Sequence, residues 1–230
     1  MNLFKNQAIT AIVKIIVAIL LGLFVLMVGA FIQSLEGLPQ LVRSNHTTML
    51  VLSLLVILIL SKGRISTYGF KLTRNIQLKQ ILFWSFGIGI GGTLIQSFIP
   101  GEGLTFLEDF SFPRMVISIW IYASICEEVL TRGLIQGYLS PLAKYGFTLC
   151  KARISLPVLV GALFFGSMHL ALLTMGVSGF IVITIVLFAF ALGIIAGYYR
   201  EKTGSIIPAI ITHMAFNISG TLCGFLIEGS

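Results

Sequence analysis

The chain has 230 residues, of which 57% are hydrophobic and only 10% charged, and its mean hydropathy is +1.03. Soluble domains carry about 25% charged residues, so a water-facing shell cannot be assembled from this composition, whereas a lipid-facing one needs almost no charge. The net charge of +7 implies no nucleic-acid partner, because the basic residues lie in short segments between apolar stretches, where anionic headgroups would meet them.

Crossing about 30 Å of hydrocarbon takes about 20 apolar residues in a helix. The first such stretch is Ile15 to Ile32, uncharged and preceded by Lys14, which can snorkel to the near interface. It is long for a signal peptide and has no small-residue cleavage site, so we read it as a span. A shorter second span runs from Thr47 to Leu60 and a third from Gln80 to Ile99, before Pro100. The fourth begins at Met115, carries Glu127, Glu128 and Arg132, and stops at Ser140-Pro141. Between Ile154 and Tyr199 there is no Asp, Glu, Lys or Arg. One helix of that length would reach about 70 Å, so it must be two spans, broken near Thr174 to Ser178. The last runs from Ser205 to Ile227. The expected fold is therefore an all-α, polytopic membrane bundle of about seven transmembrane helices in one domain, residues 1–230, with a variable part (1–114) and a core (115–220).

With the N-terminus inside, the inner segments hold Lys5; Lys62, Arg64, Lys71, Arg74 and Lys79; Lys144, Lys151 and Arg153; Arg200 and Lys202, eleven basic residues in all. The outer segments hold two, Arg43 and Arg114. Eleven against two predicts a cytoplasmic N-terminus and an outside C-terminus.

Several motif matches carry no weight. Gly87 to Gly92 fits G-x-G-x-x-G, but no strand precedes it; Gly87 and Gly91, like Gly193 and Gly197, fit close helix packing in lipid. Asn45-His46-Thr47 matches a glycosylation sequon, as does Asn217-Ile218-Ser219 inside a span, and His46 receives no role. Cys126, Cys150 and Cys223 have no metal-ligand spacing and read as packing residues.

What remains are polar side chains inside apolar helices, where each is costly and functional by default. Arg132 follows Glu128 by four, so the two share a helix face and can neutralise each other, while Glu127 points about 100° away. By itself that group is as consistent with a structural salt bridge as with a site. His169 lies in the fifth span, four residues after Phe165; His213 and Asn217 lie four apart in the last. Their convergence into one wet cavity would satisfy all of them together.

Glu127-Glu128-Val129-Leu130-Thr131-Arg132 resembles the E-E-x-x-x-R motif of the CAAX-protease and bacteriocin-processing family. Phe165-Gly166-Ser167-Met168-His169 resembles its F-x-x-x-H motif, and His213-Met214-Ala215-Phe216-Asn217 its H-x-x-x-N motif. Each is weak alone; three in order in three spans are specific. The resemblance covers Met115 to Gly220 and implies an intramembrane endopeptidase of a prokaryotic cell membrane acting on a peptide or lipidated-protein substrate among membrane lipids. It implies that Glu127 and His169 activate a water and that His213 and Asn217 stabilise the oxyanion, with Glu128, Arg132 and Phe165 supporting. No cofactor is expected, although such proteins are also described as metalloproteases; Glu127, His169 and His213 would then be the ligands of one zinc ion. The other readings are a catalytically silent bacteriocin-immunity or scaffold member, and a proton- or cation-coupled transporter. Against the transporter stand the missing inverted repeat and the confinement of the polar groups to the C-terminal half. The depths of Glu127, His169 and His213 along their spans place the site in the bilayer and predict access from the cytoplasmic side.

Overall fold

The computed structural model describes residues 2–74, 76–101, 104 and 110–228. Among the described residues seven longer helices follow one another, with a one-turn helix Gln40–Arg43 between the first two: α1 (Asn2–Ser34), α2 (Asn45–Leu60), α3 (Leu78–Ser97), α4 (112–138), α5 (Leu156–Met168), α6 (Gly179–Thr203) and α7 (Ile207–Glu228). Five are long and apolar enough to cross a membrane: α1, α3, α5 with the 3-10 turns His169–Met175 that prolong it, α6 and α7. The remaining two depart for physical reasons. Helix α2 has 16 residues, about 24 Å at 1.5 Å per residue, short of the hydrocarbon thickness. Helix α4 is long enough but charged at Arg114, Glu127, Glu128 and Arg132.

Helix α4 is also not the uniform α-helix its sequence suggests. It is wound as π-helix over Val116–Ala123 and again over Val129–Ile135, with the α segment Ser124–Glu128 between them. Wider winding in the middle of a helix is rare and collects at functional sites. A second departure is a hairpin, β1 (Gly146–Leu149) paired antiparallel with β2 (Ala152–Ser155), where the sequence read only an inner loop. Cys150 and Lys151 turn it with φ of 48° and 67°. The strand takes Ile154 and Ser155, so α5 starts at Leu156, with the Ser155 hydroxyl accepting from Val158 N–H as its N-cap.

The main core lies where α1, α2, α4 and α5 meet and includes Ala18, Val25, Ile57, Leu130, Leu134 and Phe164. Small residues set the approach distances. Phe164 of α5 packs onto Gly22 of α1. On α3 the close contacts belong to Gly89 and Gly92, not to Gly87 and Gly91 as the sequence suggested: a Cβ on Gly89 would lie 2.7 Å from the Phe216 carbonyl oxygen of α7, while one on Gly87 would meet nothing within 4 Å. Gly193 and Gly197 do face a neighbour, lying against Ala162 and Val158 of α5.

The end that carries most of the basic residues is closed by its own connections. Tyr68 packs against Gly137, Ile206 N–H donates to Gly69 O at 3.0 Å, and the Ser205 hydroxyl donates to Lys71 O at 2.6 Å.

The α3–α7 contact yields a paired prediction. Gly89→Leu should destabilise by about 1–3 kcal/mol, the range for overpacking a tight contact, because a backbone oxygen cannot rotate away. Gly87→Leu, on the lipid face, should shift stability by less than about 0.5 kcal/mol. Thermal unfolding of the two variants in detergent checks both; equal losses would contradict the assigned face.

Candidate active site

Glu128 is fully buried, with an ion-pair partner at one oxygen and a hydrogen-bond donor at the other. Arg132 Nε lies 3.2 Å from Oε2, and His213 Nδ1 donates to Oε1 at 3.0 Å. The Arg132 N–H is angled off the line to Oε2, so that contact is an ion pair rather than a straight hydrogen bond. The rest of the guanidinium is used across helices: Nη2 donates to Gly193 O of α6 at 3.1 Å, Nη1 to the Thr131 hydroxyl, and its plane lies 4.8 Å from the Phe165 ring centre. One turn on, Gln136 repeats the pattern, donating to Gly197 O at 3.0 Å. The i, i+4 pairing read from the sequence is therefore present, and it extends to helices that the spacing could not name.

Phe165, with no exposed surface, is the hub around which the imidazoles stand. His169 meets it edge-on with centroids 5.1 Å apart and His213 at 5.3 Å. His169 Nδ1 donates to the Phe165 carbonyl at 2.9 Å. A carbonyl can only accept, so Nδ1 carries the hydrogen and Nε2 of the neutral ring is left as an acceptor. The same logic applies to His213, whose Nδ1–H goes to the Glu128 carboxylate.

Glu127 emerges on another side of the helix, as its offset from Glu128 predicts. His46 Nε2 donates to its Oε1 at 3.2 Å, and Oε2 is buried without a hydrogen-bond partner, 3.9 Å from His213 Nε2. Asn217 joins the same helices but spends both amide hydrogens, on Ile119 O at 3.2 Å and on Ser124 Oγ at 3.1 Å. In this arrangement it holds α7 to the first π segment of α4 and has no N–H left for an oxyanion, in contrast to the role the motif implied.

Glu127, Phe165, His169, His213 and Asn217 all line one cavity of about 1000 Å³, and so does His46. Here the sequence reading is corrected twice. His46, to which it gave no role, is bonded to Glu127, so all three histidines of the chain converge and the polar groups are not confined to the C-terminal half. Its only sequence signal was rarity, since nothing in its spacing ties it to residues some eighty positions away. The second correction concerns access. The cavity runs to the end of the bundle formed by the C-terminal turn of α1, the start of α2 and the C-terminal turn of α3, lined there by Gln33, Gln40, Arg43, Asn45 and Gln96. That is the end opposite the eleven basic residues, not the same end. Depth counts along single helices missed it because α2 is short: its first turn stops level with Glu127 and leaves a pit above.

A zinc ion finds no ready ligand set in this geometry. Among the described residues no three His, Cys, Asp or Glu side chains are grouped so as to hold a metal ion, so no step below passes through one.

A protein-family model described as Type II CAAX prenyl endopeptidase Rce1-like matches residues 109–219. The match contains all three motifs and leaves His46 outside. No curated protein and no solved structure matches the chain.

The buried pair also sets the stability of the site. Arg132→Leu strands Glu128 and should cost about 3–5 kcal/mol, as breaking a buried pair does. Glu128→Gln combined with Arg132→Met removes both charges and should cost less than Arg132→Leu alone. Melting temperatures in detergent decide; an unchanged value for Arg132→Leu would mean that the guanidinium is solvated.

Proposed function

We propose that this chain, whose residues 109–219 match the Rce1-like type II CAAX prenyl endopeptidase family, is an intramembrane endopeptidase whose general base is Glu127. The observation that carries this reading is the buried, unpartnered Oε2 of Glu127 beside His213 Nε2, on a cavity shared with His169. A carboxylate oxygen without a protein donor can accept a hydrogen from a water.

In this reading a water donates one hydrogen to Glu127 Oε2 and the other to His169 Nε2. Its oxygen attacks the peptide carbonyl carbon, one proton passes to Glu127, and the carbonyl oxygen becomes an oxyanion. His213 faces that oxygen through Nε2, as a donor when the ring carries its second proton. Collapse of the tetrahedral intermediate returns the proton from Glu127 to the departing amine, so the reaction consumes one water and no net proton. Asn217 supports by holding α7 in register, and no metal is needed for any of these steps.

We further propose a prokaryotic cell-membrane location with the N-terminus cytoplasmic and the C-terminus outside, supported by the eleven-to-two distribution of basic residues. The cavity mouth then faces outwards. Its walls are mostly apolar, with Leu38, Met168, Leu172 and Phe188 among them, which suits a hydrophobic or lipidated peptide.

Glu127→Gln should leave the melting temperature close to wild type and reduce cleavage by at least about 100-fold, the lower end for loss of a general base. The assay is purified full-length protein in liposomes, against prenylated CAAX peptides and hydrophobic leader peptides, with and without a chelator. Wild-type turnover by the variant refutes the base, and loss of turnover with chelator refutes the metal-free step. Sidedness has its own readout. After replacement of the native cysteines, Gln40→Cys should react with a membrane-impermeant maleimide in intact cells, and Thr148→Cys only after permeabilisation. The reverse pattern inverts the topology.

A further inference from the structure

We propose that His46 is a positioning residue for Glu127, supplied by a helix that lies outside the family-matched segment; this rests on the reading of Glu127 as the base. A carboxylate that must take a proton from one place has to present one oxygen there and keep it there. Glu127 has two oxygens and a rotatable terminal bond, and its side chain is 11% exposed. The two oxygens are treated differently: Oε1 receives the His46 N–H at 3.2 Å, and Oε2 is the one left without a partner. His46 is thus the only hydrogen-bond donor to the Glu127 carboxylate among the described residues, and it determines which oxygen is free.

The placement of His46 is built rather than incidental. It sits in the first turn of α2, and both its neighbours in sequence are tied down. Thr47 Oγ1 is bonded to the Tyr122 hydroxyl of α4 at 2.7 Å, five residues before Glu127 on the same helix. Asn45 packs its side chain onto Gly29 of α1, where a Cβ would collide with it. The ring of His46 also lies against Tyr122, with centroids 6.3 Å apart at 58°. So α1 and α4 together clamp the first turn of α2, and the imidazole is delivered to one oxygen of one carboxylate. A histidine kept only for packing would be buried. The His46 side chain is 33% exposed and lines the cavity on its open side, so substrate passes it on the way to Glu127.

The test is a kinetic split. His46→Leu should lower kcat by about 10- to 100-fold, the effect of losing one hydrogen bond to a charged group, with KM within about threefold of wild type. His46→Gln, whose side-chain amide can reach the same oxygen, should recover most of the loss. Wild-type kcat in His46→Leu, a change confined to KM, or no recovery with Gln would each overturn the proposal. A second measurement does not need activity: the thermal shifts of His46→Leu and Glu127→Ala, singly and combined, should be non-additive, as for groups in contact. Additive shifts overturn the pairing. If the wild-type protein cleaves none of the peptides, the endopeptidase reading falls, and the thermal cycle decides the His46–Glu127 pairing alone.

Discussion

The buried carboxylate of Glu128 is the constraint on which the rest of the site depends. An ion of this kind costs several kcal/mol to remove from water, and only close partners with good geometry offset that. Here the partners are Arg132 on the same helix and His213 on α7, and Arg132 in turn reaches the Gly193 carbonyl of α6 and the face of Phe165 on α5. Four helices are therefore held to one point by groups that cannot be left unpaired in a low-dielectric interior. Glu127, one residue back, inherits its direction from that lock. Because Ser124–Glu128 is α-helical, consecutive side chains diverge by about 100°, and fixing Glu128 inwards turns Glu127 to the cavity.

The winding of α4 serves the same end. Polar side chains bond to backbone carbonyls along it: Asn217 donates to Ile119 O in the first π segment, and Thr131, in the second, donates back to Glu127 O at 2.6 Å. The two π segments bracket the α turn that carries both glutamates. Small residues then allow the neighbours in. Gly193 and Gly197 bring α6 close enough for its carbonyls to accept from Arg132 and Gln136, and Gly89 brings α3 against α7. With the basic end sealed by its own connections and α2 too short to fill the other, one side of the bundle is solid and the other hollow. That asymmetry allows a polar site deep in an apolar protein to be reached at all.

Much of this architecture was legible in the sequence because membranes impose coarse, local rules. The apolar helices follow from the apolar runs, although only five of the seven expected spans are long and apolar enough to cross, and the distribution of basic residues between loops is visible by inspection. The Glu128–Arg132 pair follows from helical spacing on one element, and the three motifs named the residues that converge. The part that could not be read concerns faces and partners. In water, hydrophobic periodicity reveals which side of a helix is buried; in lipid both sides are apolar, so Gly87 with Gly91 and Gly89 with Gly92 looked equally suited to packing, and only the folded bundle separates them. The hairpin was missed because Cys150 and Lys151 are not residues that ordinarily adopt the left-handed backbone its turn requires.

His46 marks the boundary most clearly. By itself the sequence determined that this chain lies in a membrane, that its charges are few and deliberate, and that Glu127, Glu128, Arg132, His169, His213 and Asn217 belong together. Only the tertiary structure decided that Glu127 gives one oxygen to His46 and keeps the other buried without a hydrogen-bond partner, that Asn217 spends its amide on helix packing, and that the cavity leads away from the basic end. Spacing along one helix is short-range information carried by the backbone. Which helix stops short beside which carboxylate depends on packing between elements far apart in the chain, and no local pattern encodes it.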